Sequence, residues 1–104
     1  MYLNIITTTN SKQIAKEISK TILHNDLSPC VQIISDTISF FKWNNKVTKE
    51  KEYIVNIKTI NTFENNIVQI ILDLHNYKTP EIIKNEFTIL NKDYKNWFNK
   101  NLKK

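Results

Sequence analysis

The sequence of 104 residues contains no glycine and no arginine, one cysteine and two prolines. Without glycine it lacks the glycine-rich loops that cradle phosphates in the common nucleotide-binding motifs. The single Cys30 cannot close an internal disulfide, which fits a reducing cytosol. No nucleophile and base can be assigned around this cysteine, so the sequence does not indicate an enzyme.

The positive charge does not indicate a nucleic-acid partner. The net charge of +5 comes from 15 basic residues against 10 acidic ones, and every basic residue is lysine. Apart from Lys103 and Lys104 the lysines are scattered along the chain. Arginine, whose guanidinium group commonly binds phosphate through two hydrogen bonds, is missing. Lysine, asparagine and isoleucine share A/T-rich codons, so we attribute the charge to base composition and expect a solvated surface.

Long apolar runs are also absent. The longest are a few residues, far short of the roughly 20 needed for a membrane-spanning helix, and nothing resembles a signal peptide. The hydrophobic content of 40% is enough for one modest core, and no repeat or linker interrupts the chain. We therefore expect a single cytoplasmic domain over residues 1–104 with no membrane partner.

The first half of the chain alternates between strand and helix patterns. Residues 2–8 are apolar and β-branched, which predicts a strand. Asn10 and Gln13 have the spacing of a capping box before a predicted helix that ends around residues 24–26. The apolar face of that helix recurs at Ile14, Ile18 and Ile22. A long or bent strand follows from Pro29 to Trp43.

A tight turn at Asn44-Asn45 leads into a return strand over about residues 52–59, since asparagine tolerates positive φ. Asn61 and Glu64 form a second candidate capping box. The helix after it has an apolar face at Phe63, Ile67, Ile70, Ile71 and Leu74. Pro80 forces the residue before it into an extended conformation, so a turn over residues 75–80 separates this helix from a strand at 81–89.

A short last helix, with Asn91 as its candidate cap, carries three aromatic residues, Tyr94, Trp97 and Phe98. The predicted order is therefore β-α-β-β-α-β plus a terminal helix. This is an α+β fold of the ferredoxin-like kind, with both main helices on one face of an antiparallel sheet. Acylphosphatases share this fold class but depend on an arginine. RNA-recognition modules need a glycine- and aromatic-rich third strand, which residues 51–58 do not provide.

Several ordered segments resemble the CutA family of divalent-cation tolerance proteins, over almost the whole chain. The segments are Thr7-Thr8-Thr9, residues 27–31 (LSPCV), residues 39–46 (SFFKWNNK), Glu52 with residues 57–59 (IKT), residues 75–82 (HNYKTPEI) and residues 94–98 (YKNWF). The resemblance implies a ferredoxin-like subunit in a tight trimer similar to the PII signalling proteins. It also implies that strands two and three extend into the neighbouring subunit's sheet.

The aromatic residues of the hairpin agree with a homotrimer, because they offer more apolar area than a small monomer readily buries: Phe40, Phe41, Trp43 and Tyr53. The alternative is that they belong to the subunit's own core. The family usually has glycine where this chain has Asp36 and Asn45, and proline where it has Asn76, which puts the rigidity of those turns in question.

The resemblance also implies a ligand site at a cleft between subunits. Lys58, Tyr77 and Glu81 match family positions near this cleft, and Trp43 lies in the hairpin close by. A cation, a phenol and a carboxylate suit a small polar or anionic ligand. The alternative is structural, with Lys58 and Glu81 paired across the interface and Tyr77 bonded to backbone.

His75 is the candidate metal ligand, since imidazole suits copper and zinc. The cysteine and second histidine implicated in copper binding by family members are replaced here by Thr7 and Leu74. The resemblance therefore implies weak binding of Cu²⁺ or another divalent metal at most. Cys30 is interpreted as a small buried hydrophobe and His24 as a helix C-terminal residue.

The function that the sequence predicts is tolerance of divalent metal ions by a non-enzymatic trimer. Metal binding, small-ligand binding or signalling at the cleft are the mechanisms left open. A trimeric scaffold or partner-binding protein with no direct metal role is the alternative.

Overall fold

Four antiparallel strands and three α-helices make up the chain, which the computed structural model describes over residues 1–104. A short 3₁₀ turn at Asn61–Phe63 precedes the second helix. The elements in order are β1 (Tyr2–Thr9), α1 (Lys12–His24), β2 (Cys30–Trp43), β3 (Lys46–Ile60), α2 (Glu64–Leu74), β4 (Ile82–Phe87) and α3 (Lys92–Lys100).

The strands lie side by side in the order β2-β3-β1-β4, and every neighbouring pair is antiparallel. Strand β1, the first in the chain, therefore occupies a central position between β3 and β4. This is the ferredoxin-like α+β arrangement, so the predicted fold class is confirmed. None of the helices combines the length and apolar character required to span a membrane.

One face of the sheet packs against α1 and α2. The shared core contains Ile5 from β1, Val55 and Ile57 from β3, and isoleucines from both helices. The predicted helix faces are confirmed, with complete burial at Ile18, Ile22, Ile67 and Ile71. Burying each such side chain contributes about 1.5–3 kcal/mol to stability.

The predicted cap of α1 is wrong by one residue. The N-cap is Ser11, whose Oγ accepts a 3.2 Å hydrogen bond from the Ile14 amide. Gln13 does not reach back to a cap and instead donates to Glu17 one turn later. Asn10 remains outside the helix, where its side chain bonds to Glu50. Serine and asparagine are both good caps, and the tertiary contact decides between them.

The second predicted capping box, Asn61 with Glu64, is also wrong. The Asn61 amide donates to the Met1 carbonyl, and no side chain caps α2. Glu64 forms an ion pair with Lys84 of β4 instead, at 2.6 Å. Because the first turn is 3₁₀, its backbone bonds tighten the entry into α2 without a side-chain cap.

Strand β3 begins at Lys46, six residues before the predicted start near Glu52. Residues 46–51, which are polar except for Val47, show no apolar alternation, but they pair with β2 all the way to the turn. Strand β1 ends at Thr9, opposite Tyr53. Beyond that point β2 and β3 continue alone as a two-stranded ribbon, and the chain has extents of 46 × 26 × 21 Å.

Three non-glycine turn residues adopt positive φ in this long hairpin. Asn44 and Asn45, with φ of 50° and 61°, form the predicted tight turn. Asp36, with φ of 60°, lies at an irregularity in the register between Ile34 and Thr37. Both positions at which the resemblance expects glycine, Asp36 and Asn45, therefore do require a left-handed backbone.

Strand β4 covers Ile82–Phe87 rather than the predicted 81–89, because its partner β1 faces only those residues. The last helix, α3, follows Asn91, whose side chain makes no capping bond. Phe98 of α3 is completely buried against Tyr2 and Phe87, with ring centroids 5.3 and 6.2 Å away. Helix α3 therefore packs on the ends of β1 and β4.

Candidate functional site

A cleft of about 700 Å³ extends along the hairpin, from Glu52 at its base to Trp43 beside the turn. Three parts of the chain form its walls: the β2–β3 hairpin, the end of β1, and the segment of residues 77–81 between α2 and β4. The lining residues are Thr8, Asn10, Ser39, Phe40, Phe41, Trp43, Thr48, Glu50, Glu52, Tyr77, Lys78, Thr79 and Glu81.

His75 fixes the start of the segment that closes the cleft. Helix α2 ends at Leu74, and His75 takes an extended conformation with φ of −67° and ψ of 143°. Its Nδ1 accepts a hydrogen bond from the Tyr77 amide at 2.9 Å, so Nε2 carries the proton and donates to the Thr8 carbonyl at 2.8 Å. The imidazole therefore holds the turn against the end of β1.

Asn76 adds a second attachment to the same strand. Its Oδ1 accepts from the Thr9 hydroxyl at 2.6 Å, and its Nδ2 donates to Asn10 Oδ1 at 2.8 Å. Asn10 in turn donates to Glu50 Oε1 at 3.1 Å. This chain of bonds connects the turn to the hairpin through side chains.

Tyr77 and Glu52 form the innermost contact of the cleft. The Tyr77 hydroxyl donates a 2.7 Å hydrogen bond to Glu52 Oε2, and Glu52 is only 5% exposed. Burial raises the pKa of Tyr77 well above 10.0, and the nearby carboxylates of Glu52 and Glu50 raise this pKa further. The structural alternative expected the Tyr77 hydroxyl to bond to backbone, and this part of it is wrong, because the hydroxyl bonds to a carboxylate.

Three of the four predicted cleft residues, Trp43, Tyr77 and Glu81, line this one cleft. Lys58 does not. It lies opposite Asn4 and Cys30 in the sheet, six residues from Glu52, which is about 20 Å along β3. Lys58 and Glu81 form no ion pair within the chain, whose one ion pair is Lys84–Glu64.

The carboxylates of Glu50 and Glu52 are the site residues that sequence reasoning missed. Glu52 was predicted only as part of a family segment and not as a site residue, because a glutamate at the polar end of a strand has the pattern of a solvated residue. The available signal is their spacing of two, which places both on one face of β3. The burial of Glu52 depends on the packing of the segment that carries Tyr77, which no local pattern shows.

The residues of one chain do not fit a tight metal site. Both nitrogens of His75 are engaged, so coordination there has to replace one of its hydrogen bonds. No group of three or more His, Cys, Asp or Glu side chains is placed to hold a metal ion. Thr7 is buried with its hydroxyl unpartnered, and Cys30 is half-buried rather than fully buried. His75 as a metal ligand stays a prediction.

The hairpin leaves large apolar side chains uncovered. Phe40 is 70% exposed and Trp43 is 58% exposed, so neither belongs to the chain's own core. Tyr53, at the base of the hairpin, does pack against that core. The own-core alternative therefore holds for Tyr53 and is wrong for the aromatic residues nearer the turn.

The ferredoxin-like sheet, the hairpin that projects from it and the cleft beside that hairpin define the chain as a small ferredoxin-like α+β protein. The chain belongs to the family described as CutA1 divalent ion tolerance protein, whose sequence model matches residues 3–101. The match covers all three helices and every strand except the first residue of β1. The family resemblance is therefore confirmed, and with it an assignment to divalent-ion tolerance at family level.

Named relatives agree with this assignment. The divalent-cation tolerance protein CutA of Thermus thermophilus is 26% identical over 97 residues, which cover 93% of this chain and 94% of that relative. Protein CutA of Mus musculus is 26% identical over 84% of this chain, which spans about half (49%) of the mouse protein. A solved structure from Archaeoglobus fulgidus, called a periplasmic divalent cation tolerance protein CutA, has a TM-score of 0.92 at 26% identity and covers 99% of this chain and 100% of its own.

Proposed function

We propose that this protein contributes to tolerance of divalent metal ions as a homotrimer that binds a small ligand in the cleft beside Trp43, Tyr77 and Glu81. The observation that carries the proposal is the cleft itself, a cavity of about 700 Å³ with a buried carboxylate at its inner end. Cavities of this size are typical of small-molecule sites. Occupancy of the cleft is the signal, and the assembled trimer transmits it.

The open edges of the sheet support the trimer. Strands β2 and β4 are the outer strands, so one edge of each is unpaired within the chain. The hairpin beyond Thr9 has two unpaired edges and exposed aromatic side chains. Natural proteins cover such edges, and a closed ring in which each hairpin lies on the next subunit covers all of them.

Lys58 supports the same assembly. It matches a family cleft position but lies about 20 Å along β3 from the cleft of its own chain. A neighbouring copy that extends its sheet across the hairpin brings a second Lys58 within range. In this proposal the cleft is completed between subunits.

Direct metal binding is the weaker part of the proposal. Imidazole suits Cu²⁺, and His75 is half-buried at the start of the turn, two residues before Tyr77 of the cleft. With one imidazole and no converging ligands, we propose weak binding without high selectivity. A non-enzymatic role and a cytoplasmic location complete the proposal, and both stay predictions.

A trimeric scaffold that binds a partner protein is the second candidate. The observation in its favour is the large exposed apolar surface on the hairpin, which includes Ile38 and Val47 as well as the aromatic residues. If the trimer covers this surface, the scaffold reading loses its support.

The test is a calorimetric titration with Cu²⁺ and with Zn²⁺, in which light scattering gives the mass of each sample. The variants are His75→Ala and, as a matched control, His24→Ala, which removes the other histidine at the exposed end of α1. We expect saturable weak binding that His75→Ala removes and His24→Ala preserves, with the trimer intact in all three proteins. Equal binding by all three contradicts a metal site at the turn, and a single-chain mass in the wild type contradicts the trimer.

A further inference from the structure

Three lysines form a straight row along the outer face of α1. Lys12, Lys16 and Lys20 are four residues apart, so they lie on one side of the helix, about 6 Å from one another along its axis. All three residues are exposed, because the opposite face of α1 packs into the core. Lysines that are separated in the sequence are therefore aligned in space on this helix.

The C-terminal residues extend this row past the end of α1. The Lys103 amide donates a 2.7 Å hydrogen bond to the Asp26 carbonyl, two residues after α1 ends at His24. Leu102 is buried, which holds the exposed Lys103 and Lys104 at that end of the molecule. We call the five residues the basic row: Lys12, Lys16, Lys20, Lys103 and Lys104.

Little negative charge lies within the basic row. Glu17 and Asp26 are the two acidic residues of α1 and the turn after it, against five lysines. Glu17 Oε1 accepts a 3.2 Å hydrogen bond from Gln13. No lysine of the row forms an ion pair, since the one ion pair of the chain is Lys84–Glu64. The row therefore keeps its positive charge.

This charge destabilises α1 when nothing is bound to it. Like charges four residues apart on a helix repel each other. Lys12 also places a positive charge in the first turn, where the helix dipole is already positive, and that turn contains no acidic residue. A line of anions along α1 relieves both repulsions, so the basic row favours a partner with regularly spaced negative charge.

We propose that the basic row binds the phosphate backbone of duplex DNA without reading its sequence. Each strand carries a phosphate about every 3.4 Å along the duplex axis, so a straight row of lysines meets phosphates along its whole length. Lysine contacts a phosphate as a point charge, and the chain has no arginine, the residue most common in base-specific contacts. The scatter of lysines in the sequence, which argues against such a surface, does not extend to this face of the fold.

A membrane surface matches the basic row less well. Stable attachment of a helix to a bilayer needs apolar side chains that enter the lipid as well as basic residues that contact the headgroups. The one large apolar residue exposed on α1 is Leu23, and only 37% of it is exposed. The row therefore offers charge without an apolar anchor.

The basic row is separate from the cleft and from the surfaces proposed for the trimer. The outer face of α1 points away from the sheet, whereas the proposed contacts between subunits run through the sheet edges and the hairpin. The row therefore stays open in a trimer, which carries three copies of it. DNA binding there is a second function, independent of any ligand in the cleft.

The test is the fluorescence anisotropy of a labelled DNA duplex of about 20 base pairs, titrated with the protein from about 50 mM salt upwards. Each phosphate contact contributes about 0.9 to the fall of the logarithm of the binding constant with the logarithm of the salt concentration. We expect saturable binding with a slope of about −3 or steeper, because at least three lysines of the row contact phosphates.

Two double variants remove the same charge from different helices. Lys16→Gln with Lys20→Gln is expected to weaken DNA binding about tenfold and to reduce the slope by about 1.8. The matched control, Lys92→Gln with Lys95→Gln, changes two exposed lysines of α3 and is expected to keep the slope of the wild type. Glutamine and lysine have similar helix propensities, so the circular dichroism of both variants should equal that of the wild type.

Equal weakening by the two double variants overturns the proposal, because the net charge of the protein then explains the binding. The absence of saturable binding at the lowest salt concentration overturns it as well. Tighter binding to vesicles of equal parts phosphatidylserine and phosphatidylcholine than to the duplex also contradicts it, in favour of a lipid surface. The trimer mass and the metal titrations do not depend on these outcomes, so the proposed function is judged separately.

Discussion

The phenol of Tyr77 donates a 2.7 Å hydrogen bond to the buried carboxylate of Glu52, 25 residues earlier in the chain. The bond joins the segment after α2 to the base of the hairpin, at the inner end of the cleft. It also explains why both residue types are needed there. The carboxylate needs a donor, and the phenol supplies one without adding a charge.

Tyr77→Phe is expected to lower the free energy of unfolding by about 1–2 kcal/mol, because it leaves the Glu52 oxygen without its donor. The matched control is Tyr2→Phe, which removes the exposed bond from Tyr2 to Asn99 Oδ1 and is expected to cost about 0.5 kcal/mol or less. Urea unfolding followed by circular dichroism measures both. Equal losses contradict a special role for the buried bond.

Alkaline pH is expected to destabilise the protein through Tyr77. Its pKa is raised on folding, so above the ordinary value of 10.0 the folded state keeps a proton that the unfolded state loses. The stabilising contribution is complete below pH 10 and falls as the pH rises further. We expect the free energy of unfolding of the wild type to fall more steeply than that of Tyr77→Phe between about pH 10 and about pH 12. Parallel slopes contradict the prediction.

The stability of the hairpin turn can be increased at Asn45, whose φ is 61°. Asn45→Gly is expected to raise the free energy of unfolding by about 0.5 kcal/mol, since glycine adopts this conformation without a Cβ penalty. Asn66→Gly, in the exposed interior of α2, is the control and is expected to lower it by about 0.5 kcal/mol. The same sign for both variants contradicts the turn assignment.

Apolar periodicity was sufficient to predict the sheet and the helices. The isoleucines at 18, 22, 67 and 71 are fully buried, as their spacing indicates. Apolar residues at this spacing lie on one face of a helix, and that face packs into the core. The Asn44-Asn45 turn was predictable for the same reason, since few residue types adopt positive φ. The predicted element boundaries were wrong where long-range contacts determine them. One example is the continuation of β3 to Lys46, which depends on its pairing with β2.

The cleft was only partly predictable. Trp43, Tyr77 and Glu81 follow from the family resemblance and do line one cavity. Glu52 and Glu50 were missed. Lys58 was grouped with the cleft residues, although it lies about 20 Å along β3 from Glu52. The sequence shows which side chains have the chemistry to bind a ligand. Which of them lie close together depends on the distances between strands, turns and subunits.

The assembly of three chains is the central claim, and the mass in solution tests it most directly. Light scattering is expected to give three times the 12.4 kDa of one chain. Phe40→Asp, which puts a charge on the most exposed aromatic residue of the hairpin, is expected to reduce this mass, whereas Leu90→Asp, at a more exposed position outside the hairpin, is expected to preserve it. A wild-type mass of 12.4 kDa at every concentration contradicts the account.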